Sequence, residues 1–122
     1  MKDSRTFLLE PEVVRELAVF GTDEAGSIEQ IASLLPTGLS PEEVGDVGLQ
    51  VQNRVELDAP SRDGYSRGRD AEEQVTMGIG LAAVDTGDML TAESATQQLR
   101  ELGGVGGWLG YFMLKRYQKR AR

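Results

Sequence analysis

Between Val14 and Leu35, small and apolar residues recur at Val14, Ala18, Gly21, Ala25, Ile28, Ala32 and Leu35, in alternating steps of four and three. The pattern returns at Val75, Ile79, Ala82, Thr86 and Met89. At 3.6 residues per turn, such positions fall on one stripe of an α-helix, and a strand of period two has no use for them. Neither stripe can be hidden by its own helix, so each needs a second helix against it. Ala18, Gly21, Ala25 and Ala32 are small enough to let two backbones come close. Val14, Ile28, Leu35, Val75, Ile79 and Ala82 are the expected seam. The spacing predicts a mainly α chain, built as an antiparallel helical hairpin or a small helical bundle.

Local signals place the helices at about 11–35, 41–58 and 70–102. Pro11 suits a first helical position, where its missing N–H is not needed. Gly21–Thr22–Asp23 is a candidate break, and Pro36–Thr37–Gly38 a stop. Ser40–Pro41–Glu42–Glu43 combines a cap, a helix-starting proline and a closing glutamate, the pattern of a capping box. Val44, Val47, Gly48, Val51 and Val55 then mark one face. The segment 59–70 reads as a polar loop, with Arg62, Arg67, Arg69 and Tyr65 as either solvated residues or a phosphate or partner contact. Thr86–Gly87–Asp88 weakens the last long helix, which resumes with Ala92, Ala95, Leu99 and Leu102 inward. Residues 1–102 thus form a helical domain, and 103–122 a hinge followed by a docking segment.

Composition removes most chemistry. The chain of 122 residues has no cysteine and no histidine, so thiolate nucleophiles, disulfides and histidine–metal sites are excluded. The paired carboxylates Glu42/Glu43 and Glu72/Glu73 fall in first turns of helices, where the helix dipole explains them. Gly78–Ile79–Gly80–Leu81–Ala82–Ala83 matches a dinucleotide-binding pattern in letters only, since it lies within a helical seam and follows no strand. No catalytic residues, metal or cofactor are expected, and the chain is read as a non-enzyme. All 20 acidic residues lie in the first 114 positions, while five of the 13 basic residues lie in the last eight. An acidic body with a basic end disfavours nucleic acid, except through the tail.

The stretch from Gly103 to Leu114, "GGVGGWLGYFML", holds five glycines and the chain's single tryptophan. As a helix it places Val105, Trp108 and Phe112 on one face, with Lys115, Arg116 and Lys119 above them. Polarity is divided along the axis and not around it, unlike a helix lying flat on a membrane. The uncharged run Leu102–Leu114 is roughly 20 Å as helix, short of the ~30 Å hydrocarbon core. Glycine costs roughly 1 kcal/mol in a helix interior, so "GGVGG" reads as a hinge. Trp108, Tyr111, Phe112, Leu114, Lys115 and Arg116 are the candidate docking residues. They fold back on the bundle, meet a partner, or, as the weakest option, touch a membrane.

The opening "PEVVRELA" and the later "GIGLAAVDTGDMLTAE" resemble the small helical-hairpin proteins of actinobacterial type VII secretion, in particular the EspC-like branch. In that branch a late motif runs Leu-x-x-Ala-Ala-x-x-Tyr-x-x-x-Asp. Leu81, Ala82 and Ala83 stand here at different spacing, with Thr86 and Leu90 in the tyrosine and acid positions. Trp108–Leu109–Gly110 spells the W-x-G that marks the hairpin turn in the wider family, though near the C-terminus. The resemblance implies a helical protein that acts by association with a protein partner or with itself. The alternatives are a structural subunit of a larger particle, such as a phage virion component, and a peripheral membrane-complex adaptor using the C-terminal segment. The start of the chain lacks the apolar run of a secretory signal. The expected location is cytoplasmic, or exported without a cleaved signal peptide.

Overall fold

The computed structural model describes residues 7–21, 28–58 and 62–121, with the side chains at 20–21, 28, 58 and 62–70 outside the description. Among the described residues six helices follow one another: α1 (Pro11–Gly21), α2 (Ile28–Leu34), α3 (Pro41–Asp58), α4 (Arg62–Thr86), α5 (Met89–Leu102) and α6 (Gly104–Ala121). The described residues contain no strand. The chain is mainly α, a small helical bundle.

The helix ends follow their local chemistry. The Glu10 backbone carbonyl, just ahead of Pro11, accepts from the Val13 and Val14 N–H groups. The capping box at α3 closes in both directions: Ser40 Oγ accepts from the Glu43 N–H at 3.2 Å, and Glu43 Oε1 accepts from the Ser40 N–H at 3.0 Å. Replacing Ser40 with alanine is expected to lower the unfolding free energy by about 1 kcal/mol in chemical denaturation. The helix read as 70–102 is two helices. Gly87 adopts φ +80°, which interrupts α4, and Asp88 caps α5 by accepting from the Thr91 N–H. The segment read as a loop over 59–70 is largely helical, because α4 already begins at Arg62. The arginines and Tyr65 proposed there lie outside the described side chains.

α4 is the central helix and touches all five others. The valines of α3 (Val44, Val47, Val51 and Val55) are buried against it, as are Ala92, Ala95 and Leu99 of α5. Of the expected seam, Val14, Val75, Ile79 and Ala82 are buried. Leu35 is half-buried just beyond α2, and the Ile28 side chain lies outside the description. An N-terminal strap runs along α3. Its Phe7 N–H donates to Asp46 Oδ2 at 2.9 Å, its Leu9 N–H to Gln50 Oε1 at 3.0 Å, and Gln50 Nε2 returns a bond to the Phe7 carbonyl at 2.6 Å.

A second polar clip joins parts of the chain about fifty residues apart. Asp88 Oδ2 accepts from the Gly38 N–H at 2.7 Å and from the Thr91 hydroxyl at 2.6 Å. That same hydroxyl accepts from the Leu39 N–H at 2.8 Å. The turn after α2 is thereby tied to the corner between α4 and α5. Burial would raise the pKa of Asp88, but the bonds from Thr91 and from the Gly38 and Thr91 N–H groups outweigh it and hold the carboxyl below its ordinary value.

Candidate functional site

α6 follows a corner made of Gly103 and Gly104, both at φ +67°. A side chain is strained at such a φ, so glycine is the residue that lets the chain turn there. The turn is confined to this corner, because Gly106, Gly107 and Gly110 lie inside the helix. Trp108–Leu109–Gly110 is likewise helical and forms no hairpin turn.

The inner face of α6 is Gly107, Gly110, Leu114 and Gln118, stepping by three and four. α6 rests on α4 and α5. A Cβ on Gly107 would lie 2.7 Å from the Leu99 carbonyl oxygen, so the backbones of α5 and α6 are in close approach. Leu114, fully buried, fills the hollow left by Gly80 of α4. Gln118 donates to Thr96 Oγ1 at 2.7 Å and to the Ala92 carbonyl at 3.3 Å. Tyr117 donates its hydroxyl to Asp85 of α4. That bond, with burial and the nearby negative charge, raises the Tyr117 pKa above its ordinary 10.0.

The outer face is the unusual one. Val105, Trp108, Leu109, Phe112 and Met113 fall at i, i+3, i+4, i+7 and i+8, the spacing of a helix face that is normally buried. All five are exposed, from 44% for Trp108 to 86% for Val105. Three rings form one cluster. Trp108 and Phe112 stack with centroids 5.9 Å apart, and Tyr111 meets Trp108 and Phe112 edge-on at 5.8 and 5.3 Å. A groove of about 250 Å³ lies between α4, α5 and α6, lined by Leu109 and Met113 of the stripe and by none of the rings. Its lining includes Glu73, Met77, Leu99, Gly106, Gly110 and Met113. Beyond the stripe, Lys115, Arg116, Lys119 and Arg120 are exposed. Lys119 and Arg120 lie in the last turn, where the helix dipole favours cations. Lys115 Nζ also sits 6.0 Å from the centre of the Tyr111 ring.

The structure thus separates the candidate docking residues. Trp108, Phe112, Lys115 and Arg116 are exposed, Tyr111 is half-buried, and all share one side of α6 or its flank. Leu114 is a correction: it belongs to the bundle's own core and has no surface left for a partner. Leu109 and Met113 complete the exposed stripe and were not singled out by sequence reasoning. Their spacing from Trp108 and Phe112 was the available signal, masked by reading the surrounding glycines as a hinge.

Comparison with known proteins finds no matching family model, no similar curated protein and no similar solved structure. The site itself therefore carries the functional reading. Among the described residues, no helix is long and apolar enough to cross a membrane. Among them, too, no group of carboxylates is placed to hold a metal ion.

Proposed function

We propose that this chain is a non-enzymatic helical assembly protein that works by presenting the outer face of α6 to a protein partner. One observation carries this reading: five large apolar side chains lie exposed on one continuous helix face. Scattered exposed apolar residues are ordinary, whereas a contiguous patch of this kind marks a contact surface. The inner face already holds α6 on the bundle, so the outer stripe is surplus to folding. The axial change from apolar to basic gives the surface a direction. A partner would meet the aromatic cluster with an apolar patch and the basic end with carboxylates. A role beside a type VII secretion system is the specific form suggested by the sequence resemblance, and neighbouring secretion genes would support it.

The test places a photo-reactive benzoylphenylalanine at position 112 in cells, with position 57 of α3 as the control, since Leu57 is also well exposed. Protein adducts are expected from position 112 and not from position 57. Equal yields, or none from either, would overturn the reading. Adducts to lipid alone would replace it with a membrane-contact role.

A further inference from the structure

We infer that a second copy of this chain covers the outer face of α6, the two helices pairing antiparallel about a two-fold axis at Leu109. The inference rests on the proposal that this face is a contact surface, and it names the occupant.

The stripe from Val105 to Met113 is centred on Leu109. Laid antiparallel on a copy of itself, it sets Val105 at the level of Met113, Trp108 at the level of Gly110, and Phe112 at the level of Gly106. Leu109 meets its own copy at the axis, and the stripe is set apolar side chain against apolar side chain along its length. Self-complementarity of this kind is what a two-fold interface requires.

Charge selects the same arrangement. Parallel pairing would set Lys115, Arg116, Lys119 and Arg120 of the two copies side by side, which is repulsive. Antiparallel pairing carries each basic cluster past the N-terminal end of the other α6. Glu73 packs over Gly106 at that end, and the exposed Glu101 lies in the last turn of α5. Arg116 of the second copy falls at the level of Leu102, between these two carboxylates. Arg100, in the last turn of α5, lines a separate polar groove with Tyr111 and Lys115. The five apolar side chains expose on the order of 500 Å² per copy, which places a symmetric pair near the lower bound of specific interfaces, ~1,000 Å² in total.

The chain has no cysteine, so single-cysteine variants of the full protein report register directly. Light scattering at about 50 µM is expected to give twice the 13.3 kDa chain mass. Phe112→Glu is expected to give the monomer, and 0.5 M salt to weaken the dimer about tenfold. With a short bismaleimide, Leu109→Cys is expected to cross-link to itself. Val105→Cys and Met113→Cys are expected to cross-link only when mixed. Arg116→Glu with Lys119→Glu is expected to weaken pairing about tenfold, and adding Glu101→Lys to restore part of it. A monomeric mass, or self-linking of Val105→Cys, overturns antiparallel self-pairing. A monomer whose position 112 still captures another protein leaves the association reading standing, whereas a monomer with no capture removes both.

Discussion

Leu114→Ala is expected to lower the unfolding free energy by about 3 kcal/mol, in the middle of the range for a buried leucine cut to alanine. Leu114 is fully buried and occupies the hollow that Gly80 leaves on α4. Removing its branched end opens a cavity at the centre of the contact that holds α6. α6 is held against α5 by the close approach at Gly107, so collapse is limited and little of the loss is recovered. In urea or thermal denaturation this corresponds to a fall in Tm of about 10 °C for a domain of this size. The contrast is with Phe112→Ala, two residues away and 60% exposed. In dilute solution that change is expected to stay within about 0.5 kcal/mol. Similar losses from the two variants would mean that the outer stripe is part of the fold. The single tryptophan, on α6 itself, makes fluorescence a direct readout.

Asp88→Ala is expected to cost about 2–3 kcal/mol, more than an isolated helix cap. The substitution removes the α5 cap and also leaves the Gly38 N–H and the Thr91 hydroxyl without their acceptor. Asp88→Asn keeps an acceptor and is expected to lose about half as much. The pH dependence has a definite sign. The folded carboxyl has a pKa below its ordinary 3.8, so its contribution is fully present above that value. It is lost as pH falls through the folded pKa. The stability gap between wild type and Asp88→Asn should therefore be flat above about pH 5 and close progressively below pH 4. A gap that widens on acidification would contradict the clip.

The helical seam was legible because steps of four and three have one geometric meaning. Val75, Ile79 and Ala82 are buried where the stripe places them. The capping box at Ser40 was legible for the same reason, since its chemistry is complete within four residues. Breaks between helices were harder. Thr86–Gly87–Asp88 showed as a weak point, but its role depends on Gly38 and Leu39, which no local pattern links to it. The start of α4 was missed because Gly64, Ser66 and Gly68 are poor helix formers, although the helix runs through them. At the site, periodicity showed that Val105, Trp108 and Phe112 share a face. It could not show which face turns inward. That choice is made by Gly80, whose missing side chain leaves room for Leu114, and by Gly107, which lets α6 approach the Leu99 carbonyl.

The glycines beneath α6 have a consequence for what this helix is when separated from the rest. The sequence of α6 includes Gly104, Gly106, Gly107 and Gly110 within its first seven residues. A peptide of residues 104–121 would nucleate poorly and remain mostly coil in water. The usual remedy, Gly→Ala, reverses its sign at Gly107, because the added methyl meets the Leu99 carbonyl. The winding of this segment therefore cannot be made autonomous without spoiling its seat. Helicity in α6 belongs to the assembled bundle, and circular dichroism of the excised segment would register its absence.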